Sequence, residues 1–392
     1  MIKKIIFPLF FVLSLPLYAF ELQQTLSVEG RIFAQSSLFK SQHKSLLSLA
    51  YQAELYHEWD DATQSFTFTP FLRIENADEE RQHFDIRELK WIKSGNGWEF
   101  RIGIDKAFWG VAESIHLVDI INQTDLVENL DGEQKLGQPL IKLSTEQSWG
   151  TFDVFIMPWF RERIFPGKKG RFRTIKVIDQ TDAEYEASNK QKHTDLALRW
   201  SHSLGDWDLA LSHFYGTSRD PLFLFDSATD RLTPFYPLIN QTGLEIQATI
   251  DEWLLKFEGI HRIGQDKHAY SSGVAGFEYS LYNAFGTDGD LGIISELILD
   301  DRGRNASTPF NKEIFIGLRW AANNTIGTEL LTGFIQDLDA KSTVFNFELA
   351  QRLNDNIKFS VQIRAWANVD KKDLQYAFNR DDYIELKLEA FF

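Results

Sequence analysis

The chain has 392 residues, no cysteine, and 56 acidic against 41 basic residues, for a formal net charge of -15. Without cysteine there is no disulfide framework, no thiol nucleophile and no cysteine metal site. The acidic balance excludes a nucleic-acid binder, whose affinity comes from cations set against phosphates. Aromatic residues make up 14% while mean hydropathy is negative. That combination is expected when alternate residues meet an apolar medium and the others meet water.

Residues 1–19 open with Lys3 and Lys4, continue through an apolar run from Ile5 to Val12, and close on Leu17-Tyr18-Ala19. This is the layout of a secretory signal peptide cleaved before Phe20, with residues 20–392 as one mature domain. Pro8 and Pro16 interrupt the run, which is short for a spanning helix. No later stretch offers about 18 consecutive apolar residues, so the reading contains no transmembrane helix.

Beyond residue 20 the sequence divides into about 18 strand-like segments, with 16 as the alternative count, most of them about 9 to 13 residues long. Leu47, Leu49, Tyr51, Ala53 and Leu55 alternate with Ser48, Ala50, Gln52 and Glu54. Leu244, Ile246, Ala248 and Ile250 alternate with Glu245, Gln247 and Thr249, and the segment Ile357 to Ala365 repeats the pattern. A period of two places one apolar and one polar face on each strand. Short turns are expected at Asp60-Asp61, Ser94 to Asn96, Gly205-Asp206, Asp251-Glu252, Asn323-Asn324 and Asn354-Asp355. Longer loops fall near 36–44, 106–136, 161–192, 217–236, 301–312 and 368–380, with one tight connection at 337–341. Trp98, Trp200, Trp207, Tyr215, Trp253 and Trp320 sit near strand ends, as interfacial aromatics do.

These features specify an all-β fold: a single closed antiparallel transmembrane β-barrel with short periplasmic turns and long outer loops. Lipid offers no hydrogen bonds, so spanning strands must pair all round, and closure removes every edge. A soluble periplasmic β-protein is the competing class. It leaves the strand length and the loop asymmetry unexplained. The inward face of such a barrel is expected to be polar and wet.

The segment Phe108 to Leu136 follows a strand carrying Ile102-Gly103 and contains Trp109-Gly110, Asp119, Asn122 and Asp125. In these residues the chain resembles Gram-negative porin-like families, in which a strand with Ile-Gly runs into Trp-Gly and an Asn/Asp-rich loop. It is more loosely similar to alginate-export-type barrels. Gly276-Phe277-Glu278-Tyr279 and Asp300-Asp301-Arg302-Gly303 look like the same largely uncharacterised group. The resemblance implies that the third long loop folds into the barrel and narrows it. Glu113, His116, Asp119 and Asp125 would then carry negative charge into the constriction, opposite inward-facing Arg101, Arg319 and Arg364. A field of that kind selects polar solutes at short range.

Other constellations are weaker. His116 and Asp119 are three apart, which suits one helix face, but two ligands do not make a metal site. Asp125, Glu128 and Asp131 match no EF-hand spacing. No metal or cofactor is assigned. Arg161, Arg163, Lys168, Lys169, Arg171, Arg173 and Lys176 form a basic run suited to anionic solutes or the phosphates of lipopolysaccharide, or simply a solvated loop. No G-x-S-x-G, P-loop or H-E-x-x-H motif occurs, and Ser201/His202 and Ser212/His213 are adjacent, so each pair points to opposite faces of its strand.

Residues Asp381 to Phe392 alternate strictly. Ile384, Leu386, Leu388, Ala390 and Phe392 share one face, and Glu385, Lys387 and Glu389 the other. Ending on Phe392, the segment resembles the closing strand of bacterial outer-membrane barrels. The resemblance implies location in the cell outer membrane, contact with its lipid, and recognition by the barrel-assembly machinery. The strand is expected to pair with a first strand near Leu22 to Gln35. The function expected is a porin-like channel for small hydrophilic solutes. The alternatives are a structural or adhesive barrel whose loops bind external ligands or, less favoured, an outer-membrane hydrolase.

Overall fold

The computed structural model describes residues 20–306 and 308–392, so the expected signal segment 1–19 lies outside the described residues. In chain order the strands are β1 (Glu21–Phe33), β2 (Ser45–Trp59), β3 (Gln64–Glu75), β4 (His83–Gly95), β5 (Trp98–Asp105), β6 (Gln138–Gln147) and β7 (Gly150–Met157). There follow β8 (Glu184–Tyr185), β9 (Asp195–Leu204), β10 (Trp207–Thr217), β11 (Leu222–Asp226), β12 (Arg231–Tyr236), β13 (Leu238–Ile250) and β14 (Trp253–Ile263). The last are β15 (Tyr270–Leu281), β16 (Asp290–Asp300), β17 (Lys312–Ala321), β18 (Glu329–Asp337), β19 (Thr343–Asn354), β20 (Ile357–Ala367) and β21 (Tyr383–Phe391).

Eighteen of these strands form one antiparallel sheet, and β8, β11 and β12 form a separate three-stranded sheet within the loops. The large sheet closes on itself: β1 pairs with β21 from Thr25↔Phe391 to Phe33↔Tyr383. Gln24 and Phe392 exchange backbone hydrogen bonds in both directions beyond that register, at 2.9 and 3.1 Å. The first strand is therefore the one the alternation anticipates. Closure leaves no barrel strand with an unpaired edge.

Alternation decides which side chains leave the barrel. On β21, Ile384, Leu386 and Leu388 are 48, 47 and 46% exposed, while Tyr383 and Glu385 are buried. On β16, Leu297 and Leu299 stand outside, while Glu296 and Asp300 are buried inside. The outer wall is thus a band of Leu, Ile and Val, the surface that hydrocarbon accepts and water does not. Trp98, Trp207 and Trp253 each begin a strand at the short-turn rim and are exposed there. Trp200 donates Nε1–H to the Trp149 carbonyl at 3.1 Å within the same rim.

One end carries tight turns. Asp60, Asp61, Asp251 and Asn323 take positive φ there, the conformation Asp and Asn tolerate best after glycine. The turn expected at 94–96 centres instead on Asn96-Gly97, since β4 runs to Gly95. The connection 282–289 is longer than its neighbours at this end. The other end carries the long loops, including the expected segments and two shorter ones at 76–82 and 264–269 that the turn spacing did not reveal. Pro70 lies within β3, and the register to β4 shifts between Thr69 and Pro70, a bulge where the missing N–H does no harm.

The interior departs from a uniformly wet lumen. Trp109, Val118, Ile120 and Ile121 of the segment 106–137 pack against Phe155, Phe214, Ile239 and Ile260 of the inner wall in one buried apolar cluster. Ala112 joins a second with Val274 and Ile298. Some inward positions are apolar because a loop, not water, covers them.

Candidate functional site

The inward loop begins where β5 ends. Asn122 fixes its roots: its Nδ2 donates to the carbonyls of Asp105 and Leu136, both at 2.9 Å, and its Oδ1 accepts from Ala107 N at 2.9 Å. One amide side chain therefore joins the entry and exit of the loop.

From there the loop reaches two opposite kinds of wall. Residues 110–118 meet three glutamates on β13, β14 and β16. Gly110 N donates to Glu245 at 3.2 Å. Val111 and Ala112 donate to one oxygen of Glu258 at 2.7 and 2.9 Å, and Val118 donates to its other oxygen at 3.3 Å. Glu113 and Ser114 donate backbone N–H groups to Glu296 at 2.7 and 2.8 Å. Carboxylates accepting several N–H groups are held strongly in a low-dielectric site. Gly110 has φ of 133°, and a Cβ there would lie 2.9 Å from Glu258 Oε1. Only glycine lets the backbone come this close.

Residues 125–128 meet arginines. Asp125 accepts from Arg87 at 2.6 Å, and Glu128 takes a bidentate contact from Arg73 at 2.7 to 3.0 Å. The carbonyls of Val127 and Glu128 accept from Arg81 and Arg31 at 2.8 and 3.1 Å. Arg31, Arg73 and Arg87 come from β1, β3 and β4, and Arg81 from the loop between β3 and β4. Glu29, Glu75 and Glu385 share the guanidinium groups of Arg31, Arg73 and Arg81, so these ion pairs form a connected buried network.

The residues expected at the constriction fall as follows. Glu113 meets Arg319 at 2.5 Å, and Arg319 also binds Glu278 at 3.2 Å. His116 bonds Glu133 at 3.1 Å and lies 3.8 Å from Glu258. No helix spans His116 and Asp119; Asp119 is buried and ion-paired to Lys135 at 3.0 Å. Asp125 goes to Arg87 rather than to any of the three anticipated arginines. Arg101 pairs with Glu99 at 2.6 Å and Asp105 at 3.4 Å near its own strand and does not meet the loop acids. Arg364 bonds Asn346 and approaches Asp131 at 4.0 Å. Beyond the anticipated residues, the loop meets Arg31, Arg73, Arg81 and Arg87 on one side and Glu245, Glu258 and Glu296 on the other. These were missed because their partners are mostly backbone groups or distant in sequence. The available signal was charge at inward positions of otherwise apolar strands.

Burial alone would lower the His116 pKa, but the hydrogen bonds and charges of Glu133 and Glu258 outweigh it and raise it to about 10. The imidazolium is therefore the form present at neutral pH, so His116 brings positive charge to the loop and not the negative charge expected of it.

The basic run of the next long loop is only partly a free surface: Lys168 and Lys169 are exposed, but its arginines are not. Arg171 is fully buried, bonded to Asp381 at 2.8 Å and stacked 4.0 Å from the Phe33 ring. Arg161 pairs with Asp85 and Arg163 with Asp220, at 2.7 and 3.1 Å. The loop folds over the long-loop mouth. A cavity of about 500 Å³ lies on the short-turn side of the inward loop, lined by Val111, Arg199, His202, Asp208 and Glu245. A smaller space of about 190 Å³ lies on the mouth side, lined by His116, Glu133, Lys135, Arg262 and Arg302.

No family model matches the sequence, and no curated protein matches it. Solved structures with a similar chain path include two substituted variants of the Rhodopseudomonas blastica porin. One has a TM-score of 0.49 and 11% identity, the other 0.48 and 12%; each alignment covers 95% of this chain and 100% of that chain. A third, described as showing asymmetric conductivity of engineered proteins, has a TM-score of 0.47 and 11% identity over the same shares.

Proposed function

We propose that this protein is an outer-membrane channel through which small hydrophilic solutes diffuse, with the lumen narrowed by the loop 106–137. The observation that carries this reading is the pinning of that loop across the inside of a closed barrel, between an acidic and a basic sector, with polar space on either side of it. Charges lining a narrow passage act on solutes at short range and orient dipolar ones. The outward apolar band is the part that lipid would cover, with lipopolysaccharide meeting the long-loop end. Residues 1–19 would direct export, and the β21 strand would be read by the assembly machinery. Catalysis forms no part of the proposal.

The purified protein should give discrete conductance steps in planar bilayers and pass small sugars into liposomes. Absence of both would overturn the reading. A second reading, a structural or adhesive barrel, draws on one observation: Phe223, Leu224 and Phe225 are exposed on β11, a strand at the edge of the loop sheet. Deleting 217–236 separates the two. Conductance should persist under the first reading, whereas external binding should vanish under the second.

A further inference from the structure

His83, Asp125 and Glu128 meet where the inward loop reaches the arginine wall. One ligand-capable atom from each lies within 4.8 Å of the other two. His83 is the first residue of β4, while Asp125 and Glu128 belong to the inward loop. The three come from two separate parts of the chain.

The hydrogen bonding of this cluster is incomplete. Asp125 is fully buried. Arg87 holds its Oδ2, but its Oδ1 has no hydrogen-bond partner. Neither ring nitrogen of His83 makes a hydrogen bond, although Nε2 lies 3.5 Å from Glu128 Oε1. Buried polar atoms are nearly always satisfied, and each exception costs about 1–3 kcal/mol. A buried, unmatched carboxylate oxygen and an unmatched imidazole within one such cluster are a donor set for a cation.

We propose that His83, Asp125 and Glu128 bind one divalent transition-metal ion, which clips the inward loop to the barrel wall. One nitrogen and two carboxylate oxygens suit an imidazole-preferring ion such as Zn²⁺ better than Ca²⁺, which takes six or more oxygens. Zinc ligands about 2.0–2.2 Å from the metal stand about 3.3 Å apart, so atoms within 4.8 Å of one another close by at most about 1.5 Å on binding. Arg87 on Asp125 and Arg73 on Glu128 act as outer hydrogen-bond donors that orient the carboxylates. Their charge also opposes a dication, which disfavours weakly coordinating hard ions.

Zinc binding is measured by calorimetry on the folded full chain after chelator treatment, so the readout is independent of whether the barrel conducts. The wild type should bind one Zn²⁺ tightly. His83→Ala and Asp125→Asn should each weaken it at least tenfold, while His268→Ala, on an exposed loop, should leave it unchanged. Heat-modifiable migration on electrophoresis reports whether each variant is folded. Should Asp125→Asn fail to fold, His83→Ala and the milder His83→Gln decide. No stoichiometric binding by the wild type, or binding undiminished in folded His83→Ala, overturns the proposal.

Discussion

Glu258 has no exposed side-chain surface, yet its nearest cation is an imidazole nitrogen 3.8 Å away. Backbone N–H groups of the inward loop supply what a lysine or arginine would supply elsewhere. Glu258→Gln keeps the size but turns one acceptor into a donor facing other donors. The local cost should be roughly 2 kcal/mol, so amide exchange across 110–118 should quicken about 30-fold, as read by hydrogen–deuterium exchange and mass spectrometry. His116 makes a second prediction at this scale. Its folded pKa of about 10 lies above the ordinary 6.5. Its stabilising charge is therefore fully present below pH 6.5, falls as pH rises, and is gone above about 10. The gap in unfolding temperature between the wild type and His116→Ala should shrink steadily over that range. At this scale the sequence was only partly legible. Glu113 and Arg319 do meet, because both lie on segments whose direction the turn spacing reveals. Asp125 and Arg101 do not, because the choice among inward arginines depends on which strands the loop crosses. Glu258 and Glu296 left little trace, since their partners are mostly main-chain amides that any residue carries, and Glu245 adds to one such amide the Arg199 guanidinium of another strand.

At the scale of elements the strands were the most legible feature. A side-chain period of two is a property of extended backbone, so Ile384, Leu386 and Leu388 could be assigned to the outer face without knowing any partner. The loops were less so. Arg171 sits in a basic run that reads as solvated, yet it is buried against Asp381 and Phe33, which lie far away in the chain. Loop burial is set by tertiary contacts and leaves no periodic signal. The β1–β21 seam carries the prediction here. Removing Phe392 deletes the last backbone pair with Gln24 and an exposed aromatic at the short-turn rim. The yield of folded, membrane-inserted barrel should drop sharply, while the barrels that do insert should keep the wild-type unit conductance. Normal insertion of the truncated protein would count against the assembly role.

For the whole molecule the central fact is that the barrel is partly filled. Trp109 anchors the inward loop in an apolar cluster against Phe155 and Phe214. Trp109→Ala should cost roughly 3–5 kcal/mol of local packing and loosen the loop. Planar-bilayer recordings should then show larger and noisier single-channel steps than the wild type. Equal, quiet steps would mean that the loop does not set the narrowest point. The closed outline was legible from strand number and loop asymmetry. The filling was not, because inward apolar residues such as Ile260 and Ile294 look the same in sequence whether a loop or another strand covers them.

Residues 110–118 make their bonds to glutamates as many as 183 positions further along the chain. Residues 125–128 bind arginines that precede them. The loop is thus half-satisfied by the early strands and must wait for β13, β14 and β16 before its other half finds acceptors. Once β21 joins β1 and the 158–194 loop folds over the mouth, the segment is shut inside a finished ring. Its arrangement is then settled during assembly, and a loop that misses its place has no easy way back without reopening the seam.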